Sequence, residues 1–301
     1  MDRISDDLLA LILGFVPAET CIVARAVSKR WLSVIDAVPH LLRGLSRPRI
    51  VAEFYARCKY RPAEAPRFAL RFGITAGEAR ADDNRALYIA CVNGYLDLAR
   101  WLVPTFGLTA GDALAGRYSP LASACSSGRL EMLRWLISTF RFSPGDARRS
   151  IALERVGMGA KQPTSAGCLA IVKLLAGTFG YTREDVRASK CLNWACRRGD
   201  LNIVKWLIGA FGLDHRDCCC GSSGPFDPAG PFDLAPLYAA CIGGHLSIVR
   251  YLVSTFDLVT GDRARVLTAM SHARAHGQPD IVSFLAAEIS LTAEEKRSCR
   301  F

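Results

Sequence analysis

The sequence contains no apolar run near the ~18 to 20 residues that a membrane-spanning helix requires. It also lacks an opening basic stretch followed by an apolar one, so we expect neither a membrane segment nor a secretory leader. Lysine is scarce, because only seven of the 38 basic residues are lysine and the rest are arginine. Half of the 301 residues are apolar and 22% are charged, which argues against a mostly disordered chain.

The net charge is +10, a balance that suits either nucleic acid or an acidic protein partner. The arginines are scattered, however, and no five basic residues stand together. We therefore expect no nucleic-acid binding.

Twelve cysteines would indicate disulfides in a secreted chain, but without a leader we expect thiols or metal ligands. His215 and the triplet Cys218 to Cys220 have the His-x-x-Cys spacing that can hold zinc. No second pair follows at zinc-finger spacing. The favoured interpretation is therefore a cluster of loop thiols, with no metal and no cofactor.

Internal repetition dominates most of the chain. Six glycines are each followed, 12 residues later, by a large apolar residue. The pairs are Gly94 and Phe106, Gly128 and Phe140, Gly167 and Phe179, Gly199 and Phe211, Gly244 and Phe256, and Gly277 and Ile289. The residues between have the apolar spacing of a helix, and the glycine suits a chain reversal before it. A second short helical stretch precedes most of these glycines. Such helix pairs cannot bury their apolar faces singly, so the units must stack.

A third element follows each large apolar position. There, a capping residue stands three positions before an acid, as in the capping box, and we expect a short helical turn to open each unit. These pairs are Thr75 and Glu78, Thr109 and Asp112, Ser143 and Asp146, Thr182 and Asp185, Asp214 and Asp217, and Thr292 and Glu295, while Val259 breaks the pattern before Asp262. Cysteine also recurs at one position of the inner helix, where a small core residue is expected: Cys91, Cys125, Cys196 and Cys241.

The stretch APLYAACIGGHLSIVRYL at 235–252 resembles the ankyrin repeat. The resemblance covers residues 62–299, as one partial and about six further repeats, with an inserted loop at 218–232. The capping pairs stand where ankyrin repeats have hairpins, so short helical turns replace hairpins in this expectation. His245 falls at the family's structural Gly-His position. Candidate target-binding residues are those that vary between copies: Tyr88, Asn93, Ser126, Arg197, Arg198 and Tyr238.

Residues 1–40 lack this period and are followed by a connecting segment at 41–61. They contain three short helical stretches, and the motifs Asp6-Asp7-Leu8-Leu9 and Val27-Ser28-Lys29-Arg30-Trp31 resemble an F-box. That resemblance implies docking onto a Skp-type adaptor of a cullin-based ubiquitin ligase. By the same resemblance, the adaptor-binding residues are Leu8, Leu9, Ile12, Leu13, Val27 and Trp31. The alternative is that these helices only cap the repeat array.

We therefore predict an all-α chain: a three-helix F-box followed by an ankyrin-type α-solenoid. Its predicted function is to recruit an unknown protein target to the ligase, in the cytoplasm or nucleus, of a host cell if the chain is viral. The alternative is a non-catalytic scaffold or inhibitor. We expect no enzyme, because nucleophile-elbow and kinase motifs are missing from the sequence. His272 and His276 are four residues apart but lack the Glu of a zinc-protease motif.

Overall fold

The computed structural model describes residues 46–115, 119–149, 152–156, 165–219 and 235–289. Within these ranges every regular element is a helix and none is a strand, which confirms the predicted all-α class. The chain divides into two compact units, Met1–Ala79 and Arg80–Phe301. None of the helices described is long and apolar enough to cross a membrane.

In the first unit the structure describes α1 (Arg47–Tyr60), α2 (Ala65–Phe72) and the beginning of α3 (Ala76–Asn93). Phe54 and Cys58 of α1 are fully buried. The guanidinium of Arg57 is buried beside them and lies 4.4 Å from the centre of the Phe68 ring. Its charge is balanced by Glu53 at 3.3 Å and Glu64 at 3.1 Å, so an arginine can remain in this small core.

The second unit repeats a short helix, an inner helix and an outer helix. The outer helices are α4 (Leu96–Phe106), α7 (Leu130–Phe140), α9 (Ser165–Phe179), α12 (Leu201–Phe211), α15 (Leu246–Thr255) and α18 (Pro279–Ile289). The inner helices are the second part of α3, α6 (Pro120–Ser126), α11 (Cys191–Arg198), α14 (Pro236–Gly243) and α17 (Arg263–Ala275). The short helices are α5 (Ala110–Leu114), α8 (Pro144–Arg149), α10 (Arg183–Ala188), α13 (His215–Cys219) and α16 (Leu258–Gly261).

The helices of this unit stack in two layers. Successive outer helices contact one another from α7 through α9, α12 and α15 to α18, and α11, α14 and α17 do so in the inner layer. The core lies between the layers, where Leu102, Leu136, Leu207 and Leu252 are fully buried at equivalent outer-helix positions. Each helix pair therefore has its apolar face covered partly by its neighbours, as the repeat predicted.

The predicted chain reversals occur at five of the six glycines. Gly94, Gly128, Gly199, Gly244 and Gly277 all have a positive φ. The prediction is wrong for Gly167, which lies inside α9. In this copy the helical pattern starts two residues before the glycine, so no turn forms there.

The α3 segment contains an irregularity that the sequence did not indicate. Ala81 is extended, and Asp82, Asp83 and Asn84 follow it in the left-handed region. Aspartate and asparagine are the non-glycine residues that tolerate this conformation best, because their short side chains can hydrogen-bond locally. The two helical parts of α3 are therefore separated by a kink.

Candidate protein-binding surface

The six predicted target-binding residues all lie on inner helices and are all partly exposed. Tyr88 and Asn93 are on α3, Ser126 is on α6, Arg197 and Arg198 are on α11, and Tyr238 is on α14. Of these helices, α11 and α14 contact each other directly. Arg197, Arg198 and Tyr238 therefore lie on neighbouring inner helices. Whether they bind a target stays a prediction.

Arg198 is held by partners within the same unit. Its Nε lies 3.3 Å from Oδ2 of Asp200, and its Nη1 lies 3.8 Å from Sγ of Cys168. The Arg198 side chain keeps only 16% of its exposure. Arg198 thus serves first to neutralise the nearly buried carboxylate of Asp200, and its charge is not fully available to a ligand.

Other predicted residues bond to their own helices. The side-chain amide of Asn93 donates to the carbonyl oxygen of Ile89 at 2.9 Å, and the hydroxyl of Ser126 donates to the backbone carbonyl oxygen of Ser123 at 3.1 Å. The ring of Tyr238 lies 5.1 Å from the ring of His272 on the next inner helix. These contacts fix the side chains before any partner arrives, which lowers the entropic cost of binding.

A small cleft opens between α9 and α11. Cys168, Cys191 and Trp194 line it, and the Arg198–Asp200 pair lies at its polar side. Burial raises the pKa of the Cys191 thiol to about 12, so this group is a neutral thiol at physiological pH. The enclosed space in the cleft is only about 10 Å³, close to what a single water molecule needs, so the cleft is not a small-molecule site.

The recurring cysteines are core residues, which confirms their predicted role. Cys91, Cys125, Cys196 and Cys241 are each fully buried. Burial raises the pKa of the Cys125 and Cys241 thiols to about 12 and that of Cys91 still higher. Neutral thiols are poor nucleophiles and poor metal ligands.

The candidate metal ligands His215 and Cys218 to Cys220 follow α12 in the sequence. In the described ranges no three His, Cys, Asp or Glu side chains come together as a group that could hold a metal ion. His215 begins α13, and this helix extends through Cys219, so the first two residues of the predicted insert are helical. Cys220 and the remainder of the insert lie outside the described residues.

The histidines have structural contacts. Nε2 of His245 lies 2.9 Å from the carbonyl oxygen of Arg197 in the preceding repeat, which confirms the hydrogen-bonding role predicted for His245. Nδ1 of His276 lies 3.0 Å from the carbonyl oxygen of His272, one turn earlier. Burial lowers the pKa of His272, and the nearby His276 lowers it further. His272 is therefore mostly neutral at physiological pH.

The capping boxes form as predicted. The backbone N–H of Thr109 donates to the Asp112 carboxylate at 2.7 Å, and the backbone N–H of Asp112 lies 3.4 Å from Oγ1 of Thr109. Thr182 and Asp185 repeat this arrangement at the start of α10. The pairs at residues 75, 143 and 214 show the same bond from the backbone N–H to the acid. Thr292 and Glu295 lie outside the part of the chain that the structure describes.

A set of arginine contacts was missed by the sequence reasoning. Arg148 binds the capping carboxylate of the following unit, with Nε 2.8 Å and Nη2 2.9 Å from Asp185. Arg80 likewise lies 3.4 Å from Asp112 and donates to the carbonyl oxygen of Gly107 at 2.7 Å. The Arg148 guanidinium lowers the pKa of the Asp185 carboxyl.

Arg187 and Asp217 show the same contact at 2.9 Å. A sequence signal existed, because each of these arginines stands two residues after the acid of its own unit. Part of the arginine excess therefore links neighbouring repeats.

The predicted adaptor-binding residues Leu8, Leu9, Ile12, Leu13, Val27 and Trp31 lie outside the described residues. Comparison with known families addresses this region. Residues 1–43 match the model of the F-box domain, and residues 192–295 match the model of ankyrin repeats, with three copies. No curated protein matches the chain.

These matches confirm the F-box resemblance and, over residues 192–295, the ankyrin resemblance, whereas the extension of the array over the rest of 62–299 stays a prediction. An F-box combined with ankyrin repeats supports, in general terms, the role of a substrate adaptor for a ubiquitin ligase. F-box domains generally bind Skp-type adaptors, and ankyrin repeats generally bind proteins. The chain thus contains an F-box domain at residues 1–43 and three ankyrin repeats within residues 192–295.

Proposed function

We propose that this chain recruits a protein target to a cullin-based ubiquitin ligase. In this proposal the F-box docks onto a Skp-type adaptor, and the ankyrin repeats hold the target. The observation that carries the proposal is the presence of both domains in one chain.

The F-box half of the proposal names a docking face. By the resemblance to the family, this face comprises the apolar side chains of Leu8, Leu9, Ile12, Leu13, Val27 and Trp31. This patch of three leucines, an isoleucine, a valine and a tryptophan is wholly apolar, and tryptophan is among the residues enriched in binding hot spots. Charge introduced there would oppose its burial against the adaptor.

The repeat half supplies a pre-organised surface. The inner helices are fixed to one another by contacts such as the His245–Arg197 hydrogen bond, and their variable side chains are partly exposed. Because contacts within the chain already restrict several of these side chains, less conformational entropy is lost when a target docks. The array can then hold its target at high effective concentration near the transferring enzyme.

The proposal assigns no chemical step to this chain. The carboxylates that recur along the array are already engaged in helix caps and arginine contacts, as Asp112 and Asp185 are. The buried thiols Cys91, Cys125 and Cys241 are protonated at physiological pH. The chain acts by tethering in the cytoplasm or nucleus, and the ligase machinery carries out the transfer.

The test is capture of a purified Skp-type adaptor by the full-length chain. Leu8→Asp combined with Trp31→Ala should abolish capture, and unchanged far-UV circular dichroism would show that the repeats stay folded. The matched control is Tyr88→Ala combined with Tyr238→Ala, which should preserve adaptor capture because both residues belong to the repeats. If the wild-type chain fails to capture the adaptor, the scaffold or inhibitor alternative replaces this proposal. Capture by the Leu8 and Trp31 variant would show that the named face is wrong.

A further inference from the structure

One register of the outer helices carries a cation in five successive repeats. The position lies six residues after the turn glycine of each cassette and is exposed in every copy. It is occupied by Arg100, Arg134, Lys173, Lys205 and Arg250. The sixth copy has Ser283 there.

The cations differ in their acidic neighbours. Arg100 lies 3.8 Å from Asp97, and Arg134 lies 3.7 Å from Glu131, each on its own helix. The equivalent neighbours of Lys173, Lys205 and Arg250 are Ala170, Asn202 and Ser247. In α9, α12 and α15 the cation is the only charged residue of the helix.

The three cations stand on adjacent helices. The contacts run from α9 to α12 and from α12 to α15, so Lys173, Lys205 and Arg250 follow one another across the outer layer. One turn further along these helices the exposed residues are Gly177, Gly209 and Ser254, which are small and neutral. We call Lys173, Lys205 and Arg250 the cation row. Its surroundings leave room for an extended chain to approach all three charges.

Aromatic rings support two members of the cation row from the next repeat. Nζ of Lys205 lies 5.4 Å from the centre of the Tyr251 ring, and Cζ of Arg250 lies 5.1 Å from that of the Phe284 ring. Such contacts restrict the long side chains and reduce the entropy lost when they bind. They also cover the ring faces, which makes those faces poorly suited to stacking against nucleic acid bases.

We propose that the cation row docks an acidic, Asp- or Glu-rich segment of the protein target. This inference rests on the proposed function, since it assigns part of target recognition to the outer layer. Charge complementarity favours carboxylates, because the three cations stand on adjacent helices that contain no acidic residue of their own. Single-stranded nucleic acid binding normally combines a basic groove with free aromatic faces, and here Tyr251 and Phe284 are covered. The row would guide and orient the acidic segment, while the inner helices read the remainder of the target.

The experiment measures fluorescence anisotropy of a labelled 12-residue Glu- and Asp-rich peptide with the full-length chain at low and physiological salt. The test variant is Lys205→Glu with Arg250→Glu. The matched control is Arg100→Glu with Arg134→Glu, which changes the net charge equally at the same register. We expect the test variant to weaken Kd about tenfold or more, and the control by less than about threefold, because charge pairing is local.

Melting temperatures of both variants establish that each remains folded. Equal weakening by test and control variants would overturn the inference, since diffuse net charge would then explain the binding. Failure of the wild-type chain to bind the peptide would also overturn it. A labelled oligouridine bound more tightly than the peptide, and lost in the test variant, would assign the row to nucleic acid instead. Adaptor capture by the same proteins tests the proposed function separately, because the cation row lies outside the F-box.

Discussion

Replacement of Gly243 by alanine tests the stacking of the repeats most sharply. Gly243 is the last residue of α14, and a Cβ added there would lie 2.5 Å from the carbonyl oxygen of Arg197. The same Cβ would lie 2.7 Å from Cδ2 of His245. The first neighbour is backbone of the preceding repeat, so the two repeats must separate before alanine can fit. The two repeats can thus approach this closely only because Gly243 has no side chain.

The expected cost follows from three contributions. Overpacking a close contact costs about 2 kcal/mol, within the usual ~1 to 3 kcal/mol. Separation also weakens the hydrogen bond between His245 and Arg197, which contributes about 1 kcal/mol. Alanine returns about 0.5 to 1 kcal/mol because it restricts the unfolded chain and favours the helix. The variant should therefore lose about 2 kcal/mol, or roughly 4 to 8 °C of Tm in a unit of this size.

Gly209 provides the matched control, because a Cβ there meets nothing within 4 Å. Gly209→Ala, inside α12, should raise the stability by about 0.5 to 1 kcal/mol. Thermal and urea unfolding followed by far-UV circular dichroism compare the two. Removal of the His245 side chain should relieve part of the clash, so Gly243→Ala should cost less in a His245→Ala background. If Gly243→Ala proves as stable as Gly209→Ala, the reasoning about close packing between these repeats is refuted.

Three further expectations concern single sites. Arg47 lowers the pKa of Glu78 to about 2, so this carboxylate stabilises the fold above its ordinary pKa and the contribution is lost as the pH falls towards 2. Arg47→Ala should flatten that acid limb in urea titrations, and an unchanged limb would contradict the assignment. Cys125 and Cys241 should resist iodoacetamide at pH 8 until urea unfolds the chain, as peptide mass spectrometry can show; fast labelling of the native protein would disprove their burial. Leu207→Ala in the core should cost ~2 to 5 kcal/mol, whereas Leu70→Ala, at a side chain that is 73% exposed, should change the free energy of unfolding by less than ~0.5 kcal/mol. Similar losses for both leucines would argue against the assigned core.

Features that depend on residues close together in the sequence could be predicted from it. A capping box needs only a Thr and an Asp three residues apart, so the starts of α5 and α10 could be placed from the pattern alone. The cysteines could be assigned to the core because they recur at one register of a stacked unit. Both features depend on spacing within one repeat.

Features that join different repeats were harder to predict. The contact between Arg148 and Asp185 spans 37 residues, and nothing local shows that the side chains meet. The turn predicted at Gly167 does not form. The sequence before this glycine differs from that of the other copies, and helix α9 continues across it. The left-handed residues at 82–84 likewise reflect the junction of two helical parts, which the apolar pattern does not encode.

The predicted target-binding residues show the same limit. Variation between copies identified partly exposed positions on the inner helices, but not which side chains are already engaged. Arg198 is occupied by Asp200 and Cys168, whereas the cations of the outer row stand without acids on their own helices. The recurrence of a cation at one position of the outer helices is visible in the sequence. Which of these cations lie next to one another depends on which helices are neighbours, and only the structure gives that.

Co-capture from cell lysate by the full-length chain tests the adaptor account most directly. The wild-type chain should retain a Skp-type adaptor together with target proteins, and Leu8→Asp with Trp31→Ala should lose the adaptor while the same targets remain bound. Retention of the adaptor by that variant, or loss of the targets together with it, would contradict the division of labour between F-box and repeats.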